Sequence, residues 1–184
     1  SGGTMSVLTR LLNRPGGDHL VVEPMRRRNL AAVMAIESVS YPKPWTFGVF
    51  RSELEQMAAG NRHYLVAHEG RELVAYGGML FALDEAHITN VAVDARHQRK
   101  GLATRLMAEL AWVAIDRHCT ALSLEVRVGN TPAITLYEKF GFTAAGVRKQ
   151  YYENADDAIV MWRHGILEPE FASLLRVLSP EAAR

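Results

Sequence analysis

Cysteine is nearly missing from this chain: Cys119 is the single one in 184 residues. No internal disulfide framework can form, and a reducing compartment, the cytoplasm, is expected. An excess of charge of one sign is missing too. Lysine and arginine number 21 against 20 acidic residues, a formal net charge of +1, so no global field recruits nucleic acid or an anionic membrane. Any anion must be held by local geometry. No apolar run approaches the roughly 20 residues that would span a bilayer. The stretch MSVLTRLLNRPGG lacks the continuous apolar segment of a secretion signal, and Ser1–Thr4 read as a leftover ahead of Met5. The seven histidines have no H-E-x-x-H or other ligand spacing, so no metal is expected. No G-x-x-x-x-G-K-[ST] string occurs, which excludes a Walker phosphate loop.

What is present is enough apolar sequence, 48% of the chain with 22% charged, for one globular domain with a proper core. After the breaker NRPGGD, HLVVEPM reads as a short strand, and RNLAAVMAIESVS has helical spacing at Leu30, Val33, Met34 and Ile36. SYPKPW breaks that helix, and Thr46 can cap a second one, FGVFRSELEQMA. HYLVAHE and ELVAYGGMLFAL flank Gly70 and Arg71 as a hairpin, followed by the strand AHITNVAVD. A helix from Gly101 to His118 buries one stripe of Leu102, Leu106, Leu110, Val113 and Ala114, and ALSLEVRV is the next strand. Thr131 and Pro132 open the helix PAITLYEKF, Gly141 ends it, and FTAAGVRKQYY and DDAIVMWRH close the domain as strands. The reading is a single α/β domain over residues 19–164, with a mixed, mostly antiparallel sheet and helices on both faces. Residues 1–18 form a lead. Residues 165–184 are an appended extension in which Phe171, Leu174, Leu175 and Leu178 recur at helical spacing after Pro169.

One stretch stands out, VDARHQRKGLATRLMAEL, residues 93–110. A strand runs to Val93, a short basic loop follows and a helix opens at Gly101, so unpaired N–H groups point out of its first turn. The helix dipole adds partial positive charge, Gly101 and Ala103 are small enough for a phosphate to approach the backbone, and Arg99 and Lys100 supply screening charge. A diphosphate suits such a place. A solvated loop ahead of an ordinary helix is the plainer alternative, because short glycine patterns are weak signals.

Gln98, Gly101 and Ala103 match the Q-x-x-G-x-G/A signature of the Gcn5-related N-acetyltransferase (GNAT) superfamily, with Ala103 where many members have glycine. LEVRVGNTPAITLYEKFGF resembles the fifth strand and following helix of that family, and YYENADDAIVM the end of the domain in its N-terminal peptide acetyltransferases. The resemblance spans about residues 20–163. Within it, PW after the first helix, LEVR, N-x-x-A-I-x-L-Y and YY…DA-I-x-M are most similar to the ribosomal-protein alanine N-acetyltransferases. It implies a splay between the fourth and fifth strands and acetyl-CoA as cosubstrate. Val91, Ala92 and Val93 would offer backbone groups to the pantetheine arm, Gln98, Arg99, Lys100, Gly101, Leu102, Ala103 and Thr104 would wrap the pyrophosphate, and Asn130 would hold the cofactor farther along.

Acetyl transfer to an amine needs a neutral amine, support for the oxyanion and a proton for the departing thiolate. Glu125 lies in an apolar strand, where a carboxylate is costly unless paired or used. The resemblance makes it the general base, acting through water; a solvated strand face with Arg127 as partner is the alternative. The resemblance likewise makes Tyr137 the acid that protonates the leaving sulfur, where a packed core aromatic is the alternative, and gives the oxyanion to a backbone N–H near Val93. Trp45, Tyr151 and Tyr152 are candidate walls of the acceptor groove, with Trp45 equally readable as a core anchor. Cys119 reads as a small apolar residue rather than a nucleophile. The function implied is acetylation of a protein N-terminus, with an alanine-initiated ribosomal protein as substrate. A broader N-terminal or lysine acetyltransferase and a non-catalytic acetyl-CoA-binding module are the alternatives.

Overall fold

The apolar runs become strands, and the segments with a 3.6-residue period become helices. The computed structural model describes residues 19–149 and 157–182. In it, β1 (Leu20–Pro24) leads through a short 3-10 turn into α1 (Leu30–Ser40) and α2 (Phe47–Ala58). A meander of β2 (Arg62–Glu69), β3 (Glu72–Ala82) and β4 (Glu85–Val93) follows, then α3 (Leu102–Asp116), β5 (Ala121–Arg127) and α4 (Thr131–Lys139). The strands β6 (Thr143–Arg148) and β7 (Ala158–His164) and the helix α5 (Pro169–Leu178) complete it. The seven strands form one sheet of order β1-β2-β3-β4-β5-β7-β6. Neighbours run antiparallel except β4 and β5, which are parallel.

Local chemistry places the helix ends. The Thr46 hydroxyl accepts the Val49 N–H at 3.3 Å and starts α2. The Asn130 carbonyl oxygen does the same for Ala133, also at 3.3 Å, with Pro132 in the first turn of α4. Helix α3 begins one residue later than its spacing predicts, because Gly101 takes the left-handed conformation at φ 78° and stands outside as the N-cap.

Two apolar clusters cover the two faces of the sheet. One joins α3 to the sheet through Leu106, Leu110, Met79, Ile88, Leu122 and Leu124. The other packs Leu30, Val33, Ile36 and Phe50 of α1 and α2 over Tyr64 and Tyr76. Strand β4 contributes to both because it carries a bulge: Gly78 pairs with Asn90 and Met79 with Ile88, so Thr89 is the extra residue. Ala86 and Ile88 therefore face the α3 cluster, whereas beyond the bulge Val91 and Val93 take that side and Ala92 faces the other.

Helix α3 is buried more widely than its single predicted stripe. Met107, Ala108, Ala111 and Trp112 are buried as well, and Val113 is only half-buried. The cause is α5, which lies along the second side. Phe171 and Leu175 have no exposed surface and belong to the α3 cluster. The Arg176 guanidinium sits 5.3 Å from the Trp112 ring. Arg163 lies 4.8 Å over the Phe171 ring while its Nε donates to the Phe140 carbonyl at 2.9 Å, tying the end of α4 to α5.

Two stability outcomes are expected. A methyl group at Gly78 would land in the ring of fully buried Tyr64, so Gly78→Ala should destabilise by about 1–3 kcal/mol. Gly146→Ala, where the methyl group meets nothing within 4 Å, should leave the melting temperature nearly unchanged. Phe171→Ala should remove about 3–5 kcal/mol, read by urea denaturation; a loss below 1 kcal/mol would mean that α5 is not integral to the core.

Candidate active site

The parallel ladder between β4 and β5 is short. It holds Glu85 with Ala121, Ala86 with Leu122 and His87 with Ser123, and there it ends. Beyond this point β4 keeps β3 on one edge as far as Val93, and β5 keeps β7 as far as Arg127. The splay between the fourth and fifth strands is therefore present, and the facing edges offer backbone donors and acceptors that an amide-containing ligand can satisfy. Val91, Ala92 and Val93 lie along it.

The bulge at the closed end of this gap is held from the α2 side. The Tyr64 hydroxyl donates to Glu53 Oε2 at 2.7 Å and lies 3.4 Å from the Thr89 hydroxyl, which donates to Asn90 Oδ1 at 2.8 Å. Burial pushes the Tyr64 phenol far above its ordinary range, so it stays a donor. The Tyr41 hydroxyl, from the loop after α1, reaches the Val91 carbonyl at 3.5 Å.

At the open end, the Asp94 carboxylate accepts the Arg96 N–H at 2.9 Å and starts a 3-10 turn over Ala95–His97. Gln98 and left-handed Arg99 (φ 64°) carry the chain to Gly101. No side chain caps α3. The Arg105 N–H is bonded to the Gly101 carbonyl at 3.0 Å, so those of Leu102, Ala103 and Thr104 have no acceptor within the helix. A Cβ built on Gly101 meets nothing within 4 Å. The space ahead is a cleft of about 530 Å³ lined by Lys100, Gly101, Thr104, Arg105, Lys139 and the end of α5 up to Glu181. Open, uncapped N–H groups with cations around them fit a diphosphate. The screening charge assigned to Lys100 is shared, because its ammonium lies 3.7 Å from Glu69. Arg105 is paired with Glu109 at 2.9 Å along its own helix.

The candidate catalytic groups stand on opposite faces of the sheet. Leu122, Leu124 and Val126 belong to the α3 cluster, so Ser123 and Glu125 stand on the other face of β5. The Glu125 side chain is 14% exposed and pairs with Arg148 of β6 at 3.1 Å, not with Arg127, its neighbour at i+2. Tyr137 is packed against the α3 cluster with its ring 5.9 Å from that of Phe142. Asn130 caps α4 at the open end.

Trp45 sits edge-on to Phe50 at 5.3 Å and to Tyr64 at 6.5 Å, half-buried at the rim of the second cluster. The Trp45 backbone N–H donates to Glu37 Oε1 at 3.1 Å, and buried Glu37 also accepts the Tyr76 hydroxyl. Burial raises the Glu37 pKa, opposed by the Trp45 hydrogen bond. Tyr151 and Tyr152 lie outside the described residues.

Three site neighbours escaped the sequence reading: Glu37, Arg148 and His87. His87 is the last β4 residue of the ladder, with Nδ1 2.9 Å from the Ser123 hydroxyl. Burial lowers its pKa, with Glu125 opposing and Arg148 adding to the fall. A half-buried histidine in the otherwise alternating AHITNVAV was the available signal. Cys119 is buried, and burial pushes its thiol up. Among the described residues no three His, Cys, Asp or Glu side chains gather as a metal site, and no helix is long and apolar enough to cross a membrane.

A mixed sheet parted between two parallel strands, with an uncapped helix start at the mouth of the gap, agrees with the acetyltransferase fold that the sequence resemblance implies. The profile of the Acetyltransferase (GNAT) family matches residues 30–142, and the chain belongs to that family. It is similar to ribosomal-protein alanine N-acetyltransferases. The [ribosomal protein bS18]-alanine N-acetyltransferase of Escherichia coli strain K12 is 34% identical over 76% of this chain and 94% of its own length. A Bacillus subtilis protein provisionally given the same name is 37% identical over 77% of this chain and 93% of its own. The crystal structure of the ribosomal-protein-S18-alanine N-acetyltransferase from Escherichia coli superposes with a TM-score of 0.73 at 30% identity, covering 80% of this chain and 94% of that one.

Gly101→Glu should weaken acetyl-CoA binding at least about 100-fold by placing bulk and like charge at the uncapped N–H groups. The left-handed backbone should cost about 1–2 kcal/mol of stability. Calorimetry showing unchanged affinity in the folded variant would move the phosphate site elsewhere.

Proposed function

We propose that this chain transfers the acetyl group of acetyl-CoA to the N-terminal α-amine of a protein, with a ribosomal protein beginning in alanine as its substrate. The observation that carries the reading is the parted β4–β5 pair with Glu125 on one face and Tyr137 packed on the other. The names of the Bacillus subtilis and Escherichia coli relatives support the substrate. A pure acetyl-CoA sensor would need the loop of residues 98–104 alone, so a carboxylate and a phenol beside the gap favour catalysis.

Acetyl-CoA supplies an acetyl group activated as a thioester. The Gln98–Gly101 loop and the free N–H groups of Leu102, Ala103 and Thr104 hold the diphosphate, and Val91–Val93 take the pantetheine arm along the open edge of β4. Asn130 bounds the cofactor farther along. Glu125, through water, accepts the proton of the incoming amine. Tyr137 donates to the departing sulfur: a phenol of pKa about 10 is protonated at neutral pH and can donate to a thiolate whose acid is near 8.5, taking cysteine as guide. The N–H near Val93 faces the oxygen on which charge develops. Trp45 walls the acceptor groove, with Tyr151 and Tyr152 the further candidates by resemblance, and the cytoplasm suits a chain with one buried thiol.

The α-amine is favoured over lysine by simple acid–base arithmetic. At pH 7 roughly a tenth of α-amines but under about a thousandth of lysines are already neutral, from pKa values near 7.7–8.0 and 10.4. A carboxylate acting through water suffices for the first and not for the second. Glu125→Gln should lose most activity near pH 7 and recover part of it toward pH 9, whereas raising the pH should not rescue Tyr137→Phe. The measurement is kcat/KM against pH, with one peptide free at an N-terminal alanine and one acetyl-blocked peptide carrying lysine. Comparable turnover of the blocked peptide would overturn the substrate, and a Glu125→Gln profile at parental rates would remove Glu125 as the base.

A further inference from the structure

We propose that the segment Leu178–Glu181, where α5 ends, is a preformed wall of the cosubstrate site and seats the nucleotide end of acetyl-CoA. This deepens the acetyltransferase reading above and rests on it, and it gives a role to an element beyond residue 142, where the family profile stops.

The segment is held in place from both sides. Phe171 and Leu175 anchor α5 in the α3 cluster with no exposed surface, and Ala182 returns to the same cluster at 3% exposure. Between these anchors the Ser179 N–H donates to the Leu175 carbonyl at 2.9 Å, and the Ala182 N–H to the Ser179 carbonyl at 3.1 Å. The chain therefore turns tightly at the edge of the cleft ahead of α3, with Ser179 buried and Pro180 and Glu181 exposed along its lining. A wall already ordered before the ligand arrives loses little entropy on binding.

The cleft has two chemical halves. At the start of α3 the N–H groups of Leu102, Ala103 and Thr104 stand with Lys100 and Arg105, a polar half suited to phosphate oxygens. Leu20, Leu178 and Pro180 add apolar surface, suited to the face of a flat heteroaromatic ring. Two carboxylates also line the space, and both are engaged. Glu69 lies 3.2 Å from His97 Nδ1 and 3.7 Å from Lys100 Nζ, and Glu181 accepts the Ser179 hydroxyl at 3.4 Å. Phosphates joined to a purine carry the same division within one molecule, and a volume of about 530 Å³ is that of a small-molecule site. An acyl-pantetheine arm lying along β4 would fill neither half, so the ligand that the cleft fits is the nucleotide at the other end of the cosubstrate.

Hydrogen exchange of the full chain, read by mass spectrometry, is the first test. Saturating acetyl-CoA should slow exchange severalfold in residues 178–182 as well as in residues 98–104. Acetyl-pantetheine, which lacks the diphosphate and the nucleotide, should slow neither. Slowing confined to residues 98–104 would overturn the wall and leave the acetyltransferase reading standing, whereas no slowing anywhere would bring down both. ATP slowing residues 178–182 where acetyl-CoA does not would make this the seat of a free nucleotide and likewise overturn the wall. The second test is calorimetry. Pro180→Glu should raise the Kd for acetyl-CoA about 10-fold, the effect of one like charge beside a phosphate, without moving the Kd for acetyl-pantetheine or the melting temperature. Val177→Glu puts the same charge three residues earlier, on a side chain that is 77% exposed and outside the cleft lining, and should bind acetyl-CoA as the parent does. Equal weakening by the two variants, or none by Pro180→Glu, would overturn the wall.

Discussion

Buried backbone N–H and C=O groups must find partners, and β4 and β5 withhold theirs from one another once His87 and Ser123 are passed. That unmet requirement organises the rest of the molecule. It makes a slot with amide chemistry on both walls, and it calls for the bulge at Thr89, which swaps the faces of β4 just as the strand leaves its neighbour. Side chains from α2 and from the loop after α1 converge there although they are far apart in sequence. The Tyr64, Glu53 and Thr89 chain and the Tyr41 contact with Val91 brace the slot from the α1–α2 side.

Charge is handled locally throughout. With a net charge of +1 the chain has no field to spare, and the basic loop ahead of α3 is largely tied down: Arg96 to Asp94 and Glu72, His97 to Glu69, Lys100 to Glu69. The attraction for an anion therefore resides in oriented N–H groups more than in free side-chain cations, which ties it to the shape of the loop. Beside the parted strands Glu125 and Arg148 compensate one another.

Much of this could be read from the sequence because it is encoded over short distances. The element order, the cap at Thr46, the Thr131–Pro132 start of α4 and the family strings around Gln98, Glu125 and Tyr137 depend on residues within a turn or two of one another. The splay was legible only through the family resemblance, since nothing in AHITNVAVD or ALSLEVRV says where two strands stop pairing. The ion-pair partner of Glu125 was out of reach for the same reason: Arg127, which the alternative reading offered, is near in sequence, but Arg148 is near in space, brought there by β7 lying between β5 and β6. Likewise the breadth of the buried surface on α3 follows from α5, which a helical stripe read in isolation cannot foresee.

The cleft ahead of α3 is walled by Leu20 at the start of the described chain and by Ser179–Glu181 at its end. Entropy alone does not forbid joining such distant segments, since each doubling of a loop adds only about 0.6 kcal/mol. Timing is another matter. Residue 181 leaves the ribosome after every strand of the sheet, so a growing chain can pair its strands while the cleft ahead of α3 still lacks a wall.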